Sequence, residues 1–271
     1  MSGLLALIRL DAALLMRRRL PRWIAGTTVF AAVVATLFSG VGDGEGYQAV
    51  AAAARLIAAT LVGLTSVLGA VAISGDAASG ALRAVMVRPV GRPAVVLAHA
   101  ITCAAFSVAL YCVCVSIAWI TARYAFGFSD VMYRSSLGVF PIQGLEEEAM
   151  NTLQLRLLLL ALPALAIPPL IALCISAVTD DAATAVVLAL MVTLGPLLFG
   201  LITDETIAWL FTERALHPLN SLAELAKGVQ LHQDVVSDAA YTWQSVWQPG
   251  CWALACVAVS CTLFRSREVL A

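Results

Sequence analysis

Few residues in this 271-residue chain have the types and spacing that hydrolytic chemistry requires. Gly40-Val-Gly42-Asp43 could present a carboxylate to a peptide bond, but that chemistry needs a second aspartate close enough to share a proton, and no long apolar run contains one. Gly127-Phe-Ser129 could present a serine nucleophile, yet His217 and His232, which could activate it, lie in a polar segment. We therefore expect a flexible turn at Asp43 and no nucleophilic site at Ser129.

The sequence also offers no complete site for phosphoryl transfer or for a single metal ion. A nucleotide-binding P-loop needs Gly-Lys-Ser/Thr, and the only lysine, Lys227, is followed by glycine. His99, Cys103 and Cys114 share one stripe of a predicted helix, but they spread over about 22 Å at a rise of about 1.5 Å per residue, which is too far for one ion. A relay of soft-metal sites along that stripe is the alternative to ordinary packing. We predict no catalytic, cofactor or metal site within this chain.

The composition indicates a membrane protein. Hydrophobic residues make up 61% of the chain and charged residues 12%, against about 45–50% and about 25% in a soluble domain. This excess lies in long runs, which excludes a soluble enzyme, a disordered chain and a disulfide-stapled secreted domain. The formal net charge of −1, without a long basic tract, gives no indication of nucleic-acid binding. The seven cysteines all lie inside apolar runs and are interpreted as small buried residues: Cys103, Cys112, Cys114, Cys174, Cys251, Cys256 and Cys261.

Six apolar runs are long enough to cross a bilayer as helices, which takes about 20 residues. The predicted fold class is therefore an all-α polytopic membrane protein with a single transmembrane domain over residues 1–271. The third run is long enough to tilt, and the last needs Trp243, Trp247 and Trp252 as an interfacial belt. The predicted spans are Trp23–Gly40, Leu56–Ile73, Ala94–Thr121, Leu157–Val178, Ala182–Thr203 and Val246–Phe264.

The distribution of arginine and lysine predicts the orientation of these spans. The N-terminal segment, the second loop, the turn before the fifth span and the C-terminus together carry ten basic and five acidic residues, a net charge of +5. The other side carries six basic and twelve acidic residues, a net charge of −6. Since cytoplasmic loops are enriched in basic residues, both termini are predicted to be cytoplasmic. The first span is expected to act as an uncleaved signal anchor.

Residues 3–20 are too interrupted by charge to span a bilayer and are predicted to form an interfacial helix. Leu4, Leu5, Ile8, Ala12 and Leu15 fall on one face of a helical wheel, and Asp11 interrupts that pattern. A basic segment at the end of the helix suits the inner leaflet. The alternative is a frayed basic tail. The arginines assigned to this helix are Arg9, Arg17, Arg18 and Arg19.

Two longer segments are predicted on the outer side. Residues 123–152 contain three consecutive glutamates and no clear periodicity, so a solvated loop is expected. Residues 204–245 could instead form amphipathic helices broken at Pro218, with an ordinary surface loop as the alternative. These two short helices are Thr206–Phe211 and Leu219–Leu231.

Prolines within the fourth and fifth spans and two aspartates between these spans predict local features of the helices. Kinks are expected near Pro163, near the Pro168–Pro169 pair and near Pro196, because each proline removes an intrahelical hydrogen bond. Asp180 and Asp181 are predicted to cap the fifth span at a short inner turn.

The most distinctive cytoplasmic stretch is the loop at residues 74–93. Gly75 is expected to loosen the end of the second span, and Asp76 to cap a short helix that runs to about residue 87, since the residue before Pro89 disfavours helix. Leu82, Val85 and Met86 then form one apolar knob between two arginines. A short cytoplasmic helix with such a knob suits docking into a groove of a partner. The alternative is a connector packed on its own spans.

The same loop resembles the inner loop of ABC-type export permeases of the type-2 membrane-protein family. The resemblance rests on Ile73-Ser-Gly-Asp76, Gly80-x-Leu82 and Arg88-Pro-Val-Gly-Arg92, with Ala81 where threonine is usual. Arg9-Leu-Asp11 through Arg19 is similar to the amphipathic N-terminal helix of that family, and Leu216–Asn220 to its segment before the last span. The six-span topology extends the resemblance over the whole chain.

This resemblance implies a permease that couples export to a separate ATPase. The loop would be a coupling helix, two ATPase subunits would bind Mg-ATP, and outer re-entrant helices would precede the last span. The residues assigned to ATPase coupling are Gly75, Asp76, Gly80, Leu82, Arg83, Val85, Met86, Arg88 and Pro89.

Six spans are half of the pathway usual in that family. A second permease is therefore implied, as a homodimer in a bacterial inner membrane. Glycines on the second and fifth spans are candidates for its seam, namely Gly63, Gly69, Gly195 and Gly200. The alternatives are an intramembrane hydrolase or transferase, and a structural or mechanotransmitting membrane subunit.

Overall fold

The computed structural model describes residues 2–40, 46–78, 80, 91–129, 131–133, 142–203, 211–227 and 239–266. Helices dominate the described part, and one two-stranded sheet interrupts them. The elements in chain order are α1 (Ser2–Arg17), α2 (Arg19–Gly40), α3 (Gly46–Ala78), α4 (Arg92–Ala125), β1 (Val131–Tyr133), β2 (Ile142–Leu145), α5 (Glu147–Leu160), α6 (Leu162–Leu165), α7 (Ile167–Val178), α8 (Ala182–Thr203), α9 (Phe211–Ala226) and α10 (Ala239–Ser266).

Five helical stretches are long and apolar enough to cross a membrane, so the chain is a multi-pass membrane protein. They coincide with the predicted first, second, third, fourth and sixth spans: Arg19–Ser39, Gly46–Ala78, Arg92–Ala125, Glu147–Val178 and Trp243–Arg265. The predicted fifth span lies in α8, where Ala182–Pro196 forms a shorter apolar helix. Several helices extend beyond their predicted ends. Hydropathy falls where polar residues begin, whereas helical hydrogen bonding continues past that point.

Helix α3 is the centre of the bundle and packs against α2, α4, α7, α8 and α9. Small residues such as Ala51, Ala53 and Ala58 are fully buried along it and allow neighbouring helices to approach closely. Ile57 and Leu61 fill the remaining space between the backbones.

The closest approach joins α3 to α7. A Cβ atom on Gly69 would lie 2.2 Å from the carbonyl oxygen of Pro169, so only glycine fits there. Nearby, the Ser176 hydroxyl oxygen accepts hydrogen bonds from the backbone N–H groups of Ile73 (3.1 Å) and Ser74 (2.9 Å). Gly63 lies against Leu194 of α8. Both α3 glycines that were predicted for a dimer seam therefore serve packing within the chain.

The fourth apolar run is broken twice, as the prolines predict. Helix α5 ends at Leu160, the single turn α6 follows, and α7 begins at Ile167. Pro163 and the Pro168–Pro169 pair occupy the first turns of α6 and α7, where a missing backbone N–H is tolerated. By contrast, α8 continues through Pro196.

Contacts between distant residues define two ends of the bundle. At one end, which we call the Arg92 end, the Arg92 guanidinium donates to the carbonyl oxygen of Arg265 at 3.1 Å. The end of α3, the start of α4, the end of α7 and the end of α10 therefore meet there. At the opposite end, the Tyr47 end, the Tyr47 hydroxyl hydrogen-bonds Asn151 Oδ1 at 3.1 Å, and Gln48 Nε2 donates to the Ala226 carbonyl at 3.4 Å.

The Tyr47 end contains strands and the start of a helix where the sequence predicts a solvated loop. Strands β1 and β2 pair antiparallel, and Phe128 stacks on Tyr47 with ring centroids 4.6 Å apart. The glutamates at 147 and 148 form the first turn of α5, where carboxylates favour the positive end of the helix dipole.

The prediction that the segment before the last span is broken at Pro218 is wrong. Helix α9 runs unbroken through His217 and Pro218, because an apolar face that includes Leu219 and Leu222 is fully buried, largely against α3. That burial outweighs the hydrogen bond lost at the proline. Leu222 thus lies in the protein core, whereas Thr206–Trp209 and Gly228–Leu231 lie outside the described residues.

Candidate functional site

Four charged or polar side chains meet at the Arg92 end, and we call this cluster the polar junction. His99 Nδ1 lies 3.0 Å from Asp11 Oδ2, and His99 Nε2 lies 3.8 Å from Asp76 Oδ2. The Arg18 guanidinium donates a charge-assisted hydrogen bond to Asp76 Oδ1. The side chains of Asp11, Asp76 and His99 are 16%, 13% and 10% exposed, while that of Arg18 is 43% exposed.

Three helices and the bend between α1 and α2 contribute to the polar junction. Asp11 lies on α1, and Arg18 occupies the bend where α1 gives way to α2. Asp76 lies in the last turn of α3, and His99 in the second turn of α4. The junction therefore connects the interfacial helix to both helices that flank the loop at residues 79–90.

The electrostatics of the polar junction depend on pairing. A carboxylate removed from water is costly unless a charge or hydrogen bond compensates it. Arg18 compensates Asp76. His99 Nδ1 lies 3.0 Å from the Asp11 carboxylate, which only accepts when it is ionised, so the proton of this hydrogen bond is assigned to Nδ1. The 3.8 Å separation from His99 Nε2 to Asp76 is too long for a hydrogen bond. Each acid thus has a charged or polar partner from a different part of the chain.

A small cavity adjoins the polar junction. It has a volume of about 90 Å³ and is lined by Asp11, Arg18 and His99 together with apolar side chains such as Leu68 and Cys103. This space accommodates a few water molecules, for which Asp11, Arg18 and His99 offer polar partners. Within the described ranges, no three His, Cys, Asp or Glu side chains are grouped so as to hold a metal ion.

The structure places the predicted functional residues in different settings. Arg9, Arg17 and Arg19 are exposed along α1 and the start of α2. Gly75 and Asp76 lie inside α3, so the prediction that Gly75 loosens the helix end and that Asp76 caps a new helix is wrong. The continuous helix turns the Asp76 carboxylate toward Arg18 and His99, so it is not available as a cap.

The proposed coupling loop lies mostly outside the described residues. Gly80 adopts a φ of +72°, a conformation that glycine accepts without steric cost, and its N–H donates to the Ala77 carbonyl at 3.1 Å. Residues predicted for ATPase coupling that lie outside the described ranges are Leu82, Arg83, Val85, Met86, Arg88 and Pro89.

The pairing of Asp11 with His99 was missed by the sequence reasoning. Two signals pointed to it: an aspartate interrupting the apolar face of α1, and a histidine near the start of an apolar span. Each residue by itself only interrupts an apolar sequence pattern. Their contact forms only when α1 packs against α4.

Asp181 caps α8, as the sequence predicted. Its carboxylate accepts hydrogen bonds from the Thr184 backbone N–H at 2.8 Å and from the Thr184 hydroxyl at 2.6 Å. These bonds, with a smaller contribution from the Ala183 N–H, lower the pKa of Asp181 below its ordinary value. The ionised carboxylate therefore stabilises the start of α8 at neutral pH, and this contribution is lost as pH falls through the lowered pKa.

We compared the chain with known protein families and with curated proteins. Neither the family models nor the curated proteins gave a match.

Proposed function

We propose that this chain is the membrane-spanning permease subunit of an ATP-driven ABC exporter. A separate ATPase subunit, present in two copies, would bind and hydrolyse Mg-ATP, and this chain would couple that hydrolysis to substrate movement. In this proposal all six apolar runs cross a bacterial inner membrane, α8 being the fifth span. Both termini and the loop at residues 74–93 face the cytoplasm.

The polar junction is the observation that supports this proposal most. The loop assigned to ATPase docking is anchored by the end of α3 and the start of α4. Asp76 and His99 lie in those two anchors, and Arg18 and Asp11 connect them to α1 and α2. A displacement of the loop would therefore move four helices together rather than bend a flexible connector.

Two further helices are hydrogen-bonded to the helices that flank the loop. Ser176 of α7 binds the backbone of α3 near Ser74, and Arg92 of α4 binds the end of α10. Force applied at the loop would thus reach α7 and α10 through direct hydrogen bonds. The ends of α3, α4, α7 and α10 are thus joined on the side where an ATPase would act in this proposal.

The first experiment asks whether an ATPase binds the loop. The tagged full chain is purified from its native membrane with the triple variant Leu82→Ser, Val85→Ser and Met86→Ser as comparison. Copurification of a P-loop ATPase, identified by mass spectrometry, is expected with the unchanged chain and not with the variant. Equal membrane insertion of both is the control. An equal yield of ATPase with the triple variant would show that the knob is wrongly assigned.

The second experiment separates coupling from docking with two neighbouring arginines. Arg18 pairs with Asp76, whereas Arg19 is an exposed residue at the start of α2. In a reconstituted complex, Arg18→Gln is expected to reduce stimulation of ATP hydrolysis by at least about fivefold while the ATPase stays bound. Arg19→Gln removes the same charge and should leave stimulation unchanged. If both variants reduced stimulation equally, the effect would be due to loss of positive surface charge and not to the Arg18–Asp76 contact.

A further inference from the structure

Exposed arginines are concentrated where α1 gives way to α2. Four of the six residues from 17 to 22 are arginine, and all four are exposed. Arg22 Nε donates to the Met16 carbonyl oxygen at 3.0 Å, so the Arg22 guanidinium lies against the last turn of α1, which ends at Arg17. Arg19 is three residues from Arg22 and is its neighbour on the surface of α2. We call Arg17, Arg19 and Arg22 the basic bend.

The described part of the chain supplies no counter-charge to the basic bend. The acids of the polar junction have other partners, since Asp76 pairs with Arg18 and Asp11 with His99. Among the residues that the structure describes, no carboxylate lies within ion-pair distance of the three arginines. The loop at residues 79–90 contains no acid. Three neighbouring positive charges repel one another, and a bound anion would offset that repulsion.

The basic bend lies at the level of the lipid head groups. The apolar stretch that begins α2, Arg19–Ser39, has 21 residues. At a rise of about 1.5 Å per residue it is about 30 Å long, which is the thickness of the hydrocarbon core. Trp23 is 71% exposed and lies in the layer where tryptophan is enriched. An anion that reaches the basic bend at this depth is the phosphate of a lipid.

Exposed apolar side chains next to the basic bend indicate that the ligand carries hydrocarbon. One side of α1 faces the bundle, where Asp11 contacts His99 and Leu15 is buried. Leu10 and Leu14 are 41% and 44% exposed and form a stripe with Arg17 at spacings of four and three residues. A phospholipid covers the arginines with its phosphate and this stripe with its acyl chains, whereas a free phosphate covers only the arginines.

We propose that the basic bend binds one anionic phospholipid of the bilayer. Its phosphate would accept hydrogen bonds from the guanidinium groups of Arg17, Arg19 and Arg22, and its acyl chains would lie along Leu10 and Leu14. A zwitterionic lipid brings an ammonium group that the arginines repel, so a net negative head group is preferred. The proposal requires only that α2 crosses the bilayer. Its failure would therefore leave the ATPase partnership untouched, and the reverse also holds.

The test uses the full chain in detergent, with palmitoyl-oleoyl phosphatidylglycerol as the probe and the phosphatidylcholine of the same acyl chains as comparison. Native mass spectrometry counts the bound lipids, and a lipid titration gives the affinity. At about 1 kcal/mol per arginine, the double variant Arg17→Gln with Arg19→Gln should bind phosphatidylglycerol about thirtyfold more weakly. The double variant Arg9→Gln with Arg265→Gln removes the same charge from exposed positions outside the basic bend and should bind as the unchanged chain does.

Additional measurements keep the result decisive. Equal melting temperatures without lipid are the control for folding, and Arg22→Gln alone should weaken binding about fivefold even if the double variant fails to fold. Unchanged binding by a folded variant of the basic bend, or an equal loss in the control variant, would overturn the site. Phosphatidylcholine that binds as tightly as phosphatidylglycerol would overturn the preference for an anionic lipid. Displacement of the lipid by an equal concentration of inorganic phosphate would show a simple phosphate site and overturn the assignment to a lipid.

Discussion

At the scale of single residues, Tyr47 and Tyr111 allow the contribution of a buried hydroxyl group to folding stability to be measured. Both rings are 2% exposed. The Tyr47 hydroxyl hydrogen-bonds Asn151 and the Glu147 carbonyl, whereas that of Tyr111 has no partner among the residues the structure describes. Tyr111→Phe is therefore expected to be neutral or to stabilise the protein by about 1 kcal/mol, and Tyr47→Phe to destabilise it by about 1 kcal/mol. Thermal unfolding in detergent measures both. Equal losses would indicate that Tyr111 has a partner in the folded protein.

The residue scale also shows where sequence reasoning succeeds. The cap at Asp181 was predictable because its partner, Thr184, lies three residues away and acts through local backbone geometry. The contact between Asp11 and His99 spans 88 residues and depends on how α1 docks on α4. The pattern of one helix contains no information about that docking, so the polar junction could not be predicted from the sequence.

At the scale of helices, the approach of α3 to α7 predicts a strong effect of one methyl group. Gly69→Ala places a Cβ atom against the Pro169 backbone, which cannot move like a side chain, and should destabilise the protein by about 1–3 kcal/mol. Gly26→Ala is the matched control, since nothing lies within 4 Å of its new Cβ atom. Because alanine favours helix over glycine, it should stabilise α2 by up to about 1 kcal/mol. Melting temperatures compare the two variants. A tolerated Gly69→Ala would mean that α7 can shift.

The sequence predicted helices well and their limits less well. The apolar runs locate every long helix, because membrane spans need continuous hydrophobicity. The run starting at Leu56 nevertheless belongs to a helix that starts at Gly46, and Pro218 does not break α9. In both cases packing against neighbours extends a helix beyond the point where its own residues favour it.

At the scale of the whole molecule, the difference in net charge between the segments on the two sides of the membrane predicts the topology. Single cysteines at Ser79 and Ser237, in a background lacking the seven native cysteines, should react from opposite sides with an impermeant thiol reagent. The first should react only after the inner face is made accessible. Reaction of both from one side would be incompatible with six spans.

The proposed partnership predicts the stoichiometry. An ATPase dimer presents two docking grooves, so two copies of this chain should assemble about a two-fold axis. With Gly63 and Gly69 engaged internally, the exposed apolar face of α8, including Met191 and Val192, is the candidate seam. Native mass spectrometry of the complex should show two permease chains with two ATPase chains. A particle with one permease would reject the dimer, and a distinct second permease would remove only the symmetry.

The hydrogen bond from Arg92 to Arg265 has a consequence for biosynthesis. Helix α10 packs against α4 and α7, and Phe264 near its end is fully buried. Helix α4 therefore enters the membrane well before the helix that it packs against, since α10 begins at Ala239 and α4 ends at Ala125. A chain that ends before α10 would leave the faces of α4 and α7 that contact α10 without that partner. Insertion of α10 is therefore the step that completes the packing of α4 and α7.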